Sequence, residues 1–383
     1  MLSLPPLSLY IHLPWCVSKC PYCDFNSHRA PDTLPEQATI DALMLDLELE
    51  LPRVWGRSVH SVFIGGGTPS LFSAHAIEQV LNGVRARLPL APHAEITLEA
   101  NPGSVEHDRF EAYRAAGVNR ISLGVQSFNN QHLQRLGRVH DGAQAYQAIE
   151  SVQRAGFNHF NIDLMWALPQ QRLDEALDDL RQALAFAPPH LSYYQLTVEP
   201  NTVFAAKPPP LPEEGEMLDI QEQSAALLEQ AGYQPYEISA WSQPGRACQH
   251  NLNYWRFGDY IGIGAGASGK LTLPAEQAIV RTRRKKVPAS WLKATSDQRF
   301  IAEQYRVPEA DLPLEYMLNR TRLDEPIPVR EFTQRTGLPL GRLRPALDRA
   351  EALGLVRLDE YCIHRTKRGE QYLNDLQALF LPD

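Results

Sequence analysis

The sequence predicts an α/β protein with a parallel sheet, followed by a smaller C-terminal domain. Its first two hundred residues alternate strand-like and helix-like patterns, and this spacing predicts right-handed βαβ units. From about Pro326 the pattern changes to short helices and a hairpin. A length of 383 residues also fits one large and one small domain, because domains usually have about 100–200 residues.

Strand and helix patterns make up six units in the alternating region. The predicted strands are Leu7–Leu13, Ser61–Gly65, Ala94–Ala100, Asn119–Gly124, Asn158–Leu164 and Leu191–Thr197. The predicted helices between them include Glu36–Leu51, Ala74–Leu88, Glu106–Ala116, Ala143–Ala155 and Leu173–Ala187. Six units are fewer than the eight of a closed TIM barrel, so they form either an open partial barrel or a doubly wound sheet.

The remaining segments depart from this alternation. A Pro-rich loop begins at Lys207 and precedes a helix over Gly215–Ala231, then a polar and aromatic stretch and a Gly-rich segment. Near the C-terminus, two short helices over Val329–Thr336 and Arg342–Leu353, a hairpin and a helix over Lys367–Phe380 predict a winged-helix-like α+β domain. We divide the chain into residues 1–235, a connecting region 236–324 that packs on the first part, and the C-terminal domain 325–383.

Composition and charge exclude several classes of protein. Hydrophobic residues make up 44% and charged residues 21%, as in ordinary globular proteins and unlike disordered chains. The net charge is −8, and residues 325–383 hold nine basic and nine acidic side chains, which argues against a nucleic-acid partner.

Targeting signals are also missing from the sequence. The N-terminus lacks the pattern of a signal peptide, and no apolar run reaches the roughly 18 residues of a spanning helix. We therefore expect a soluble cytoplasmic protein. Thiols stay reduced in that compartment.

Three of the five cysteines fall within eight residues, directly after the first predicted strand. In a reduced compartment, Cys16, Cys20 and Cys23 are expected to bind metal rather than to form disulfides. An iron–sulfur cluster is favoured, and a zinc site completed by His12 or His28 is the alternative. Three thiolates leave one iron of a 4Fe–4S cluster open, and an open metal position is typical of chemistry.

Polar groups stand at the ends of the next four predicted strands. Gly65-Gly-Gly-Thr-Pro69 ends the second strand, Glu99 ends the third, and Gln126 and Asp163 belong to the ends of the fourth and fifth. Each group alone is more typical of a turn or a helix cap. Together they predict a site, because parallel α/β folds build their sites at this end of the strands.

The stretch Tyr10-Ile-His-Leu-Pro-Trp-Cys-Val-Ser-Lys-Cys-Pro-Tyr-Cys, together with Gly-Gly-Gly-Thr-Pro, resembles the radical S-adenosylmethionine (SAM) family. The resemblance is greatest to the HemN/HemW branch, which contains an oxygen-independent coproporphyrinogen oxidase and a haem chaperone, and it covers nearly the whole chain. It implies a partial (β/α)6 TIM-like barrel with a C-terminal winged-helix-like domain. It also implies a 4Fe–4S cluster and SAM as cofactors.

The resemblance implies roles for individual residues. Cys16, Cys20 and Cys23 would ligate three irons of the cluster, and SAM would chelate the fourth iron. Gly66, Gly67 and Thr68 would hold the methionyl amino end of SAM. The other residues expected beside the cluster or SAM are Tyr10, Tyr22, Glu99, Gln126, Arg138, Asp163 and Thr197.

Two features favour the haem chaperone over the oxidase. Oxidases of this type have a longer N-terminal arm and a further cysteine where this chain has Phe25. The stretch Cys23-Asp-Phe-Asn-Ser-His28 is instead similar to the chaperone. We therefore expect haem binding and haem transfer to apo-haemoprotein acceptors, including membrane-associated ones. Radical decarboxylation of coproporphyrinogen III propionates is the alternative.

The stretch His250-Asn-Leu-Asn-Tyr-Trp255 matches a signature associated with haem binding in the chaperone. Imidazole is a common axial ligand of haem iron, and Tyr254 and Trp255 offer flat faces to a porphyrin. On composition alone, such a histidine is more typical of packing. The resemblance therefore makes His250 the expected ligand of haem iron, with Cys248 as an alternative.

A few positions depart from the family or have no assigned role. Ala167 and Gln170 stand where relatives commonly have glycine, and Ser268 stands where chaperone-type relatives often have histidine. Cys362 has no assigned role. The basic run Arg281–Lys286 is expected to be solvated surface, with docking of an acidic partner or a membrane edge as the alternative.

Overall fold

The computed structural model describes residues 2–103 and 109–382. Its strands, in chain order, are β1 (Leu7–Leu13), β2 (Trp15–Cys16), β3 (His28–Arg29), β4 (Val59–Gly66), β5 (Leu90–Ala100), β6 (Arg120–Gln126), β7 (Phe160–Trp166), β8 (His190–Gln195), β9 (Gln234–Glu237), β10 (Ala240–Ser242), β11 (Asp259–Ile263), β12 (Ser268–Leu273), β13 (Ala278–Arg284), β14 (Ile301–Arg306), β15 (Ile327–Pro328), β16 (Val356–Leu358) and β17 (Cys362–Arg365).

The α-helices lie mostly between the strands. In chain order they are α1 (Glu36–Glu48), α2 (Ala74–Arg87), α3 (Phe110–Ala116), α4 (Asn130–Arg135), α5 (Gly142–Arg154), α6 (Leu173–Ala185), α7 (Val203–Ala206), α8 (Glu214–Gln230), α9 (Gln249–Trp255), α10 (Pro288–Lys293), α11 (Leu312–Arg320), α12 (Val329–Thr336), α13 (Arg344–Ala352), α14 (Lys367–Gln371) and α15 (Leu373–Ala378). The predicted helix Glu106–Ala116 is observed as α3, and its residues 106–108 lie outside the described residues.

The parallel strands follow one another across the sheet in chain order, β1-β4-β5-β6-β7-β8. A doubly wound sheet would reverse this order at a switch point. The open partial barrel is therefore confirmed, and the doubly wound alternative is wrong. Every residue of β6 is buried, as expected for a parallel sheet with both faces covered.

The connecting region extends the sheet at both edges. Beside β1, strand β11 pairs in parallel, and β12, β13 and β14 continue in antiparallel order. Beyond β8, the antiparallel strands β10 and β9 form the other edge. Helix α9 packs at the amino ends of β1 and β4, where Asn253 Nδ2 donates to Ser8 Oγ at 2.8 Å. This end of the sheet is therefore covered by α9.

A second hydrophobic core holds the C-terminal domain together. Helices α12 and α13 and the hairpin β16–β17 form the predicted arrangement, and β15 adds a third strand. This core begins upstream of residue 325, because Leu312, Tyr316 and Met317 of α11 belong to it. The last predicted helix is observed as two short helices, α14 and α15, that meet at Tyr372. In the described part of the chain, no helix has the length and apolar character that a membrane span requires.

The basic run Arg281–Lys286 differs from the solvated patch that its composition predicts. Arg284, the last residue of β13, is fully buried, and it donates to Asp46 and to Glu50 of the α1 region at 2.8 Å each. Arg281 pairs with a glutamate of α11. These two arginines therefore join β13 to the α1 region and to α11, and they do not face an external partner.

Replacing Arg284 with alanine should lower the free energy of unfolding by about 3–5 kcal/mol, because Asp46 would stay buried without a counter-charge and Glu50 would keep only Arg53, at 3.5 Å. Arg283→Ala is the matched control. Its half-exposed side chain pairs with Glu303, so its loss should cost at most about 1 kcal/mol. Urea unfolding followed by circular dichroism measures the free energy of unfolding of both variants. Equally small decreases in the two variants would contradict this structural role of Arg284.

Candidate functional site

The clustered cysteines lie on the loop after β1, at the carboxyl end of the parallel strands. The short strands β2 and β3 pair in parallel and close the base of this loop. Cys16, Cys20 and Cys23 are half-buried and line one cavity of about 340 Å³. Burial raises the pKa of the Cys16 and Cys23 thiols. Thiolates at these positions therefore need a cation beside them, as a bound iron would provide.

The glycine turn after β4 holds this loop in place. Gly67 N donates to Leu13 O at 2.8 Å, and Thr68 N donates to Trp15 O at 2.7 Å. A Cβ atom at Gly67 would lie 2.5 Å from the carbonyl oxygen of Trp15, so only glycine permits this approach. The turn thereby brings Thr68 to the edge of the cavity.

Three polar side chains connect the glycine turn to the cysteines. Thr68 Oγ1 lies 3.5 Å from Cys16 Sγ and accepts a hydrogen bond from Asn101 Nδ2 at 2.8 Å. Arg138 donates to Asn101 Oδ1 at 2.6 Å, and its Nη1 lies 3.6 Å from Cys20 Sγ. The chain therefore places the positive charge of Arg138 beside the Cys20 sulfur.

One nitrogen of the Arg138 guanidinium is left without a partner. Nη2 also donates to Gly124 O at 2.7 Å, whereas Nε is buried and has no hydrogen-bond partner within the described residues. A buried N–H without an acceptor is costly in free energy. An arginine N–H of this kind can donate to a carboxylate.

Two carboxyl groups, Glu99 and Asp163, lie in the inner part of the cavity. Glu99 accepts from Gly66 N at 3.1 Å, and Asp163 accepts from Asn161 Nδ2 at 2.6 Å. Burial, with the charge of Asp163 as a further cause, raises the pKa of Glu99 to about 7. Burial also raises the pKa of Asp163. Two buried carboxyl groups attract a cationic ligand, and SAM carries an ammonium and a sulfonium.

Gln126 ends β6 in a left-handed backbone conformation, with a φ of 71° that is uncommon outside glycine. Its Oε1 accepts a hydrogen bond from the Tyr194 hydroxyl at 2.7 Å, and Tyr194 lines the cavity from β8. Sequence reasoning misses Tyr194 and Asn101. The available signal for Asn101 was its position two residues after Glu99, past the end of the same strand.

Most of the predicted site residues meet in this cavity. Those that line it are Cys16, Cys20, Tyr22, Cys23, Gly66, Gly67, Thr68, Glu99, Gln126, Arg138 and Asp163. Tyr10 does not line it, and its hydroxyl lies 2.9 Å from His12 Nδ1. Thr197 also lies outside, since β8 ends at Gln195 and the exposed Thr197 bonds to Glu199.

The geometry fits a cluster better than a single zinc ion. Zinc binds sulfur at about 2.3 Å, so the ligand atoms around one ion lie within about 4.6 Å of one another. Among the described residues, the three cysteines do not form a group whose ligand atoms all lie within 4.8 Å. Both ring nitrogens of His12 are already bonded, to the Tyr10 hydroxyl and to Asn26 O. Three thiols with this wider spacing suit a 4Fe–4S cluster with an open iron.

His250 lies at the opposite end of the sheet, on α9. Its Nδ1 lies 2.9 Å from Ser61 Oγ, and its ring stacks on Phe63 with centroids 5.0 Å apart. The side chain is only 1% exposed, and burial and the charge of Arg120 lower its pKa to about 3. Cys248 is fully buried as well. Haem iron can reach either side chain only if α9 moves.

Known proteins resemble this chain over its whole length. The radical SAM superfamily model matches residues 10–183, and the HemN C-terminal domain model matches residues 307–371. The haem chaperone HemW of Escherichia coli (strain K12) is 52% identical and covers 100% of both chains. The haem chaperone HemW of Lactococcus lactis is 33% identical, over 99% of this chain and 98% of the relative.

A solved structure supports the fold alone. Coproporphyrinogen III oxidase (HemN) from Escherichia coli superposes with a TM-score of 0.83 at 24% identity, over 98% of this chain and 90% of the other.

The matched segments contain the features described above. The first match begins at Tyr10, takes in the cysteine loop and extends past Asp163, so it spans the residues that line the cavity except Tyr194. The second match covers α11 to α14 and the hairpin of the C-terminal domain, and it ends before α15. Membership of the radical SAM superfamily implies a 4Fe–4S cluster and SAM as cofactors. The chain therefore belongs to the radical SAM superfamily and, within it, to the family of proteins named HemW.

Proposed function

We propose that this protein is a haem chaperone, which binds haem and transfers it to acceptor apoproteins. The observation that carries the proposal is 52% identity, over the full length of both chains, to a protein named haem chaperone. The acceptors would be apo-haemoproteins, including membrane-associated ones. We place this activity in the cytoplasm, where the free cysteines stay reduced.

We propose that Cys16, Cys20 and Cys23 hold three irons of a 4Fe–4S cluster, and that SAM occupies the fourth iron through its amino and carboxylate groups. The unpaired Nε of Arg138 supports a contact with the SAM carboxylate. Asp163 can accept hydrogen bonds from the ribose hydroxyls. When bound, the cluster and SAM supply one-electron chemistry, while these side chains bind and orient them.

SAM binding should strengthen as the pH rises from about 6 to about 8, because the Glu99 carboxyl must lose its proton to attract a cationic ligand. Its pKa is raised to about 7, so below that pH a proton has to leave before the ligand binds. The dissociation constant should fall by several-fold over this range. Anaerobic equilibrium dialysis of the cluster-loaded protein measures it.

Glu99→Gln is the control for this pH dependence, since its amide does not titrate. The variant should bind SAM more weakly, with a nearly flat profile between about pH 6 and about pH 8. An unchanged slope in Glu99→Gln would show that another group is responsible.

The residue at position 25, Phe25, favours the chaperone function over the oxidase function. Its side chain is exposed at the mouth of the cavity, where oxidases of this branch carry a further cysteine. We expect that anaerobic incubation of the cluster-loaded protein with SAM, dithionite and coproporphyrinogen III yields no protoporphyrinogen. Formation of that product by this protein would overturn the chaperone proposal in favour of the oxidase.

We keep His250 as a candidate ligand of haem iron, with the condition that α9 opens. Its buried Nε2 has no hydrogen-bond partner in the described residues, which leaves that nitrogen available to a metal. The motif residues Tyr254 and Trp255 line a neighbouring cleft of about 250 Å³. Haemin titration of His250→Ala against the unaltered protein tests this assignment, and an unchanged affinity and spectrum would reject it.

A further inference from the structure

An apolar patch surrounds the mouth of the cavity. Phe25 and Val17 line the mouth and are 62% and 55% exposed. Asn26 Nδ2 donates to Lys286 O at 2.9 Å, which joins the cysteine loop to the segment after β13, where the next residue, Val287, is 53% exposed. Large apolar side chains grouped in this way on a surface mark a binding site.

Positive charges border this apolar patch. The four cations on its two segments are Lys19, Arg29, Lys285 and Lys286. In the described part of the chain, none of them forms an ion pair within 4.0 Å, and Lys19 Nζ instead donates to Phe25 O. Asp24 and Asp32 are the acidic residues of the same loop, so the border carries a net positive charge. In a chain of net charge −8, this surface selects an anionic ligand.

An imidazole stands where the two segments meet. His28 is partly exposed, and its Nε2 lies 3.3 Å from Asn26 Oδ1, at the long end for a hydrogen bond. Partial burial and the charge of Lys19 lower its pKa. The ring is therefore neutral at neutral pH, as a metal ligand has to be.

We propose that this patch is a haem-binding surface, with His28 as an axial ligand of the iron and Phe25 and Val287 against the macrocycle. The inference rests on the proposed function in haem transfer. Lys19 and Lys286 lie where they can pair with the propionates. Haem combines a flat apolar ring, two carboxylates and an iron that accepts imidazole, and the patch offers a counterpart to each of these groups.

The position of the patch gives it two properties that the candidate haem site at His250 on α9 lacks. His28 is partly exposed at the surface, whereas His250 is buried. Phe25 also lines the mouth of the SAM cavity, so haem on the patch would cover that mouth. Bound haem should therefore slow the release of SAM.

The test uses the full-length protein with its cluster reconstituted, titrated with haemin and, separately, with metal-free protoporphyrin IX. His28→Ala should shift the Soret band and weaken haemin binding by roughly tenfold. Its affinity for the metal-free porphyrin should stay unchanged, because that ligand has no iron to coordinate. Added imidazole should restore the Soret band of His28→Ala. Lys286→Glu should weaken the binding of both porphyrins, because it reverses a charge beside the propionates.

His75→Ala, at an exposed histidine on α2, is the matched control and should bind haemin normally. The cluster absorption of each variant shows that the loop has kept its structure. Normal haemin binding by His28→Ala would overturn the patch and leave the proposed function intact, and loss of binding in His250→Ala would then favour the site on α9. No haemin binding by the unaltered protein would overturn the proposed function itself.

Discussion

The Cys20→Ser protein should contain little iron, should lack the visible absorption that bleaches with dithionite, and should bind SAM more than about 100-fold more weakly. Cys20 lies between Cys16 and Cys23 on the loop after β1, and its sulfur lies 3.6 Å from Arg138 Nη1. Losing one of three cysteine ligands removes the cluster, and with it the open iron that SAM would chelate. Iron and sulfide analysis with anaerobic SAM dialysis measures both effects.

Cys362→Ser is the matched control for this prediction. Cys362 lies on the C-terminal hairpin, in a group with Asp359 and His364, and does not line the cavity. The variant should keep the iron content and the SAM affinity of the unaltered protein. Full iron content in Cys20→Ser would contradict the assignment of the cluster, and one zinc per chain in the unaltered protein would revive the zinc alternative.

Arg138→Leu should weaken SAM binding by roughly 100-fold and lower the reduction potential of the cluster. The affinity should fall because the variant lacks the Nε that we propose as a donor to the SAM carboxylate. The potential falls because a positive charge beside Cys20 stabilises the more negative, reduced cluster. Anaerobic dialysis and a potentiometric titration measure the two effects.

Two further variants separate charge from hydrogen-bond geometry. Arg138→Lys keeps the charge without the planar group, so it should retain most of the potential but lose much of the SAM affinity. Arg135→Leu, on the exposed side of the adjacent helix α4, should change neither quantity. Arg138→Leu with normal affinity and potential would show that this guanidinium serves the loop structure alone.

The sequence could predict the parts of the site that depend on strand ends. The cysteine loop, the glycine turn, Glu99, Gln126 and Asp163 all line the cavity, because parallel strands end at one edge of the sheet. Thr197 shows the limit of this reasoning. The predicted strand ran to Thr197, the observed strand ends at Gln195, and the cavity is lined from β8 by Tyr194 instead. A boundary difference of two residues therefore decides which side chain of this strand lines the cavity.

The basic run shows why composition alone misleads. In β13, alternate residues face opposite sides of the sheet, so Thr282 and Arg284 are buried while Arg283 is exposed. Only the fold reveals that Asp46 lies opposite Arg284. The part of the run that stays free follows the end of the strand, at Lys285 and Lys286.

The two positions where glycine is common in relatives have a backbone reason. Ala167 and Gln170 have φ values of 56° and 58°, in the left-handed region that glycine adopts without strain. The sequence alone marks these residues as departures from the family but cannot say what glycine would do there. The structure explains the preference by conformation, without a contact to the cavity.

Transfer of haem from the loaded protein to haem-depleted acceptors tests the central claim most directly. Full-length protein carrying its cluster and one haem would be mixed with membranes from haem-starved cells of the same organism, and membrane haem would be followed over time. We expect haem to leave the protein and to enter membrane haemoproteins faster than from an equal concentration of haem on serum albumin. Haem that stays on the protein, or that is transferred no faster than from albumin, would contradict the chaperone function.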